Sequence, residues 1–205
     1  MKVLMINGSP HKNGTTFRAL AEIAKELNQN QIQTEIITIG DKEVTGCRAC
    51  DACSKTNKCI KNDIVNEIIE KLIDADGIVV GSPVYYASMN GSLKSLLDRV
   101  FFGKSCFAYK PACAIAVARR AGTTNTVDAI NKYFSINNMP IVSSQYWNMA
   151  FGSSGEQVEG DEEGMQTMRI IGKNMAWLLK CIDAGKKSGV EPPEVEKHIK
   201  TNFIR

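Results

Sequence analysis

Four cysteines fall at Cys47-x2-Cys50-x2-Cys53-x5-Cys59, with Thr56-Asn57-Lys58 inside the last gap. Thiolates are soft donors suited to zinc and to iron–sulfur clusters. Two successive gaps of two residues let one stretch of backbone present three sulfurs to one face of a cluster. The polar turn then brings Cys59 back as the fourth ligand, so this stretch alone can complete a [4Fe–4S] cubane. Four thiolates also satisfy a tetrahedral zinc ion, whose usual knuckles come as two separated pairs, and thiols without metal are a third reading. Lys55, Lys58 and Lys61 set positive charge against the thiolates. The remaining cysteines, Cys106, Cys113 and Cys181, lie in apolar segments and are expected in the core.

A second chemistry is written into Gly8-Ser9-Pro10-His11-Lys12-Asn13-Gly14-Thr15-Thr16. The segment joins an apolar run to a helical pattern, where free backbone N–H groups and the helix dipole favour an anion. Ser9, Thr15 and Thr16 can donate hydroxyl hydrogen bonds, and His11 or Lys12 adds charge at the rim. No lysine follows Gly14, so this is not the nucleotide loop that reaches a second phosphate, and a single phosphate monoester fits better. An ordinary strand-to-helix turn capped by threonine is the plain alternative. Neither His11 nor His198 has the Cys or Asp neighbour of a hydrolytic site.

The elements that must position these residues alternate. Apolar runs at Lys2 to Ile6, Thr34 to Ile39, Gly77 to Gly81, Ala112 to Ala118 and Ile141 to Ser144 are predicted strands. Between and after them, Thr16 to Leu27, Ile64 to Ile73, Leu93 to Val100, Val127 to Phe134 and Met165 to Ala184 carry helical periodicity. Such alternation argues for an α/β fold of three layers, a doubly wound parallel sheet covered on both faces. With five strands the expected arrangement is flavodoxin-like, in the order 2-1-3-4-5, with its ligand crevice at the carboxyl ends of the first and third strands. Residues 1–187 are expected to form one domain carrying a cysteine-rich insert at 44–62, with 188–205 a tail beyond the core.

On these motifs the chain resembles the NAD(P)H-dependent FMN reductase family. The markers are Gly8-Ser9-Pro10 through Asn13-Gly14-Thr15-Thr16, and Gly81-Ser82-Pro83-Val84-Tyr85-Tyr86 followed by Met89-Asn90-Gly91-Ser92-Leu93-Lys94. The cysteine spacing is that of the iron–sulfur flavoproteins, and this resemblance runs through nearly the whole chain to Tyr146-Trp147-Asn148, read as following the last strand. It implies FMN, with Ser9, His11, Asn13, Gly14, Thr15 and Thr16 around the ribityl phosphate. It places Pro83, Val84, Tyr85 and Tyr86 against the flavin ring, where a stiff backbone and aromatic surface suit a planar group. Arg119, Arg120, Ala121 and Gly122 fall at the pyrimidine edge, with Arg119 the preferred cation. Further implications are NAD(P)H as hydride donor, a small-molecule acceptor or ferredoxin, a possible [4Fe–4S] cluster on Cys47, Cys50, Cys53 and Cys59, and a homodimer or homotetramer.

Composition narrows the alternatives. Hydrophobic residues at 43% and charged residues at 23% belong to a globular chain. The net charge is only +3 and the basic residues form no runs, so nucleic acid and anionic membrane are not expected partners. The first apolar run stops at Asn7-Gly8, too short for a leader or a span, and a cytoplasmic location with reduced thiols is expected. A non-enzymatic flavodoxin-like electron carrier is the second reading, although such carriers are usually strongly acidic. A nucleotide-binding regulatory domain is a third, and it leaves the Pro83 to Tyr86 loop unexplained.

Overall fold

Apolar alternation becomes a central sheet with a separate core on each face. The structure, a computed structural model, describes residues 1–103, 106–194, 196, 199 and 201, so His198 and much of the expected tail lie outside it. The strands are β1 Lys2–Asn7, β2 Gln33–Thr38, β3 Gly77–Tyr85, β4 Ser88–Met89, β5 Ala112–Ala118 and β6 Met149–Phe151. The helices are α1 Thr15–Gln29, α2 Cys53–Thr56, α3 Ile64–Asp74, α4 Gly91–Gly103, α5 Thr123–Ile136, α6 Gly155–Glu159 and α7 Glu162–Lys187. The sheet runs β2-β1-β3-β5-β6, with β4 folded back antiparallel on β3. β5 is buried along its whole length and β1 from Val3 onward, as strands covered on both faces must be.

Successive side chains divide between the layers. Leu4 and Ile6 join Ala114 and Ala116 in a core closed by Ile68 of α3, Leu96 of α4 and Ile130 of α5. Val3 and Met5 join Ile115 and Val117 in the opposite core, against Leu20 of α1 and Met175 of α7. The doubly wound architecture is therefore the expected one, with five parallel strands in the expected relative order and a sixth, β4, in addition.

The last strand is displaced from its predicted position. Ile141 makes only an isolated bridge to Ala112, and Ile141 to Ser144 is not a strand. Val142 N–H still donates to the Ala112 carbonyl at 2.8 Å, after which the chain leaves the sheet. It re-enters at Met149, opposite Ala116. Buried Asn148 spans the gap, its amide donating to the Val142 carbonyl at 3.3 Å and to Cys113 Sγ at 3.2 Å. Tyr146-Trp147-Asn148 consequently precedes the last strand instead of following it.

Of the three cysteines expected in the core, only Cys113 is buried; Cys106 and Cys181 are exposed. Burial pushes the Cys113 thiol up to about 12, against a smaller lowering by Asn148, so it stays protonated and inert. α7 ends at Lys187, and the described residues beyond it belong to no helix or strand. No helix among the described residues is long and apolar enough to cross a membrane.

Candidate functional site

Three loops meet at the carboxyl ends of β1, β3 and β5. Asn7 turns the first: its Oδ1 accepts from Ser9 N–H at 3.1 Å and its amide donates to Thr38 Oγ1 at 3.2 Å. Gly8 N–H then donates to the Gly81 carbonyl at 2.8 Å, tying the loop to β3. Only glycine fits there, since a Cβ would stand 2.7 Å from Leu93 Cδ2 and 2.9 Å from that same carbonyl oxygen.

Ser9 is buried, and its Oγ accepts from His11 N–H at 3.1 Å, curling the chain over the start of α1. Gly14 caps α1 without any side-chain hydrogen bond. Beside it, Thr16 Oγ1 is buried with no hydrogen-bond partner. A buried hydroxyl without a partner is costly, and one placed at an uncapped helix N-terminus fits a bound phosphate oxygen. Gly14 and Thr15 are half-buried, and His11 and Asn13 lie exposed at the rim.

At the second loop, β3 runs on past the predicted strand end at Gly81: half-buried Pro83 and Val84 are still strand, Val84 and Tyr85 pair with Met89 and Ser88 of β4, and the turn between the two strands is Tyr86-Ala87, with Tyr85 and Tyr86 exposed. Tyr86 is fully solvent-exposed and has φ +55°, while Ala87 N–H donates to the Tyr85 carbonyl at 2.6 Å. A left-handed tyrosine at such a tight turn is strained and is held by its surroundings. Asn125 supplies one restraint by donating to the Ala87 carbonyl at 2.8 Å. Buried Ser82 accepts from Asn90 N–H at 3.1 Å, and Asn90 accepts from Ser92 and Leu93 N–H, capping α4.

The third loop touches the second. Gly122 is left-handed (φ +87°), and a Cβ on it would lie 2.8 Å from Val84 Cγ1. Arg119, Arg120 and Ala121 are exposed beside this contact, and neither arginine forms an ion pair among the described residues. The candidate flavin residues are thus assembled at one edge, with orphan donors at one end and aromatic surface at the other.

The cysteine insert forms a second centre. Cys47 and Cys50 are exposed, Cys53 and Cys59 half-buried, and all four line one cavity with Arg99 and Phe102 of α4. Ala49 and Asp51 are left-handed between the cysteines, and right-handed Ala52 follows Asp51. Successive residues of opposite hand turn their N–H groups into one concavity, a nest that favours an anion. Burial, then repulsion from Asp51, Cys47 and Cys50, pushes the Cys53 thiol up, outweighing its own backbone hydrogen bond. Among the described residues no three His, Cys, Asp or Glu side chains are placed to share one metal ion. A cubane presents four irons, one to each thiolate, and so takes its sulfurs around a wider perimeter than a single zinc does.

Cys59 is the most firmly held of the four. Its N–H donates to Asn66 Oδ1 and its carbonyl accepts from the Asn66 amide, both at 2.8 Å. Its sulfur accepts from Arg99 at 3.1 and 3.3 Å. Burial opposes charge on Arg99, but hydrogen bonds with Asp63 and Cys59 outweigh it and raise its pKa further. Sequence reading passed over Arg99, Asp63 and Asn66. Apolar periodicity did not mark Arg99: it follows Leu96 by three positions, but on the helix it stands about 100° or more from Leu93, Leu97 and Val100.

Residues 1–154 match the family described as NADPH-dependent FMN reductase. The chain is similar to an iron–sulfur flavoprotein of Methanocaldococcus jannaschii, 33% identical over 191 residues that span 89% of this chain and 99% of the relative. It is also similar to an iron–sulfur flavoprotein of Methanosarcina thermophila, 31% identical over 192 residues, spanning 91% and 99%. Among solved structures, RosB with a bound riboflavin-phosphate intermediate superposes with TM-score 0.70 at 14% identity, covering 100% of this chain and 94% of that one. A flavodoxin from the domain Archaea superposes with TM-score 0.61 at 14% identity, covering 88% and 99%. At such identities the two structures establish the flavodoxin-like fold alone.

Proposed function

The chain belongs to the NADPH-dependent FMN reductase family, and from that premise we propose that it carries electrons from NAD(P)H through FMN and a [4Fe–4S] cluster to a small acceptor or a ferredoxin. Membership makes it an FMN-binding oxidoreductase. When bound, FMN supplies hydride acceptance at N5 and release of single electrons, and a [4Fe–4S] cluster supplies one-electron storage. The chain's own residues bind and orient. Thr16 and Ser9 donate to the phosphate, and the α1 N-terminus favours its charge. Pro83 to Tyr86 would fix the ring plane, and the Arg119 guanidinium would offset electron density gained on reduction.

The single observation that carries this reading is the orphan Thr16 hydroxyl at the uncapped start of α1. For the cluster, the support is the shared cavity, the nest at Asp51-Ala52, and relatives named as iron–sulfur flavoproteins. For ferredoxin it is charge: between residues 42 and 62 the sequence has Lys42, Arg48, Lys55, Lys58 and Lys61 against Glu43 and Asp51, and of these lysines Lys58 is paired with Glu70. That basic surface suits an acidic one-electron carrier. A cytoplasmic setting follows from the need to keep these thiols reduced.

Under nitrogen, NADPH or NADH is expected to bleach the flavin absorbance of the purified protein. Bleaching by dithionite with no response to either nucleotide would favour the non-enzymatic carrier instead.

The protein is also expected to be a homodimer or homotetramer, because Tyr85 and Tyr86 at the site, and Tyr146 and Trp147 before β6, leave aromatic surface exposed. Light scattering at micromolar concentration tests this: the 22.5 kDa mass of one chain would remove the shared-site arrangement.

A further inference from the structure

We infer that Arg99 is the positioning residue of the cysteine centre, fixing Cys59 as its anchor and setting the reduction potential through two hydrogen bonds to the Cys59 sulfur. The inference rests on the cluster reading above. Arg99 enters from α4, outside the insert, and is only 3% exposed.

All five guanidinium donors are engaged. Nε and Nη2 donate to Cys59 Sγ at 3.3 and 3.1 Å. Nη1 and Nη2 form a fork with Asp63 at 2.5 and 2.9 Å, and Nη1 also reaches the Thr45 carbonyl at 3.2 Å. The rigid planar fork of arginine makes this possible, and the point charge of lysine cannot copy it.

The pattern has two consequences. Thr45 and Cys59 bracket the other three cysteines, so one side chain holds both ends of the ligand-bearing loop together. Asp63, which also accepts from Val65 N–H at the start of α3, fixes the guanidinium in turn. A helix tie alone would need only the Asp63 fork; the two bonds to sulfur are additional. Hydrogen bonds to a ligating sulfur withdraw charge from it and favour the reduced, more negative cluster, which raises the potential. Asn66 grips Cys59 only through the backbone and therefore restrains its position without drawing charge from the sulfur.

The test uses the full chain, expressed and reconstituted without oxygen, as wild type, Arg99→Lys, Arg99→Met and Asn66→Ala. Flavin per chain reports folding and is expected to be equal in all four. Arg99→Met is expected to lose iron to a competing chelator with an affinity about 10- to 100-fold weaker. Arg99→Lys is expected to keep iron but show a more negative cluster midpoint and a changed electron paramagnetic resonance signal. Asn66→Ala is expected to hold iron less firmly with the midpoint unmoved. If Arg99→Met does not fold, the Arg99→Lys midpoint decides. An iron-loaded wild type with the same midpoint and chelator resistance in the Arg99 variants overturns this inference alone. A wild type that takes up no iron overturns the cluster reading and this inference together.

Discussion

Replacing any one of Cys47, Cys50, Cys53 or Cys59 with serine is expected to take the anaerobically reconstituted protein from about four irons per flavin to almost none. FMN should stay bound, because the insert and the flavin loops are separate structures joined through α4. Each thiolate would hold one iron of the cubane, and serine is a hard oxygen donor poorly matched to it. Cys106→Ser and Cys181→Ser are the controls, exposed thiols outside the shared cavity, and both should retain full iron. Iron, sulfide and flavin assays on the same samples read the result. Iron near zero in every preparation of the wild type would show that the insert is structural and the enzyme a plain flavin reductase. Loss of iron in the Cys106 variant would place the cluster elsewhere. Air-purified protein is no test, since oxygen destroys exposed clusters and oxidises the freed thiols.

Thr16→Val should separate two quantities that usually move together. The valine methyl replaces a hydroxyl that is buried without a partner, so the flavin-free protein should become more stable, by about 1 kcal/mol. FMN should at the same time bind more weakly, by about 1.5–3 kcal/mol or roughly tenfold to a hundredfold in Kd, the scale of a lost hydrogen bond to a charged group. Adding Ser9→Ala should weaken binding further, because Ser9 Oγ also braces the loop by accepting from His11 N–H. Denaturant titration of the flavin-free form and fluorescence titration with FMN measure the two effects. Unchanged FMN affinity would put the phosphate somewhere other than the start of α1.

How much of this was legible in the sequence depended on distance along the chain. The strands and helices that build the two cores were readable because each carries its own apolar period, from Leu4 and Ile6 to Met168 and Met175. The phosphate loop was readable because its residues are contiguous. The edge strand was misplaced because Ile141 and Val142 look like the start of a strand, whereas Met149–Phe151 is too short to show a period. Its position is set by tertiary partners: Phe151 N–H donates to Asp161 at 2.7 Å, and Asn148 ties the broken edge to Val142 and Cys113. Arg99 was passed over because its partners are likewise set by tertiary structure. Forty residues separate it from Cys59, and nothing local marks a buried guanidinium as a neighbour of sulfur. Tyr86 was assigned to the flavin loop for its ring, but its left-handed backbone could not be read from residue type, since tyrosine seldom adopts that conformation.

α4 begins at the Asn90 cap beside the flavin loop and carries Arg99 to the cysteine cavity. At 1.5 Å per residue, the nine steps between them make a ruler of about 14 Å with a phase as well as a length. Adding or removing one residue on this ruler would turn Arg99 by about 100° and point it away from the cavity. Only the stretch between Cys53 and Cys59 is open to changes of length, since the two-residue gaps before it set three of the ligands, whereas the helix beside it can change composition but not register. In a lineage of such proteins, the spacing from the flavin loop to this arginine should therefore be the more rigid inheritance, and the gap before Cys59 the more variable one.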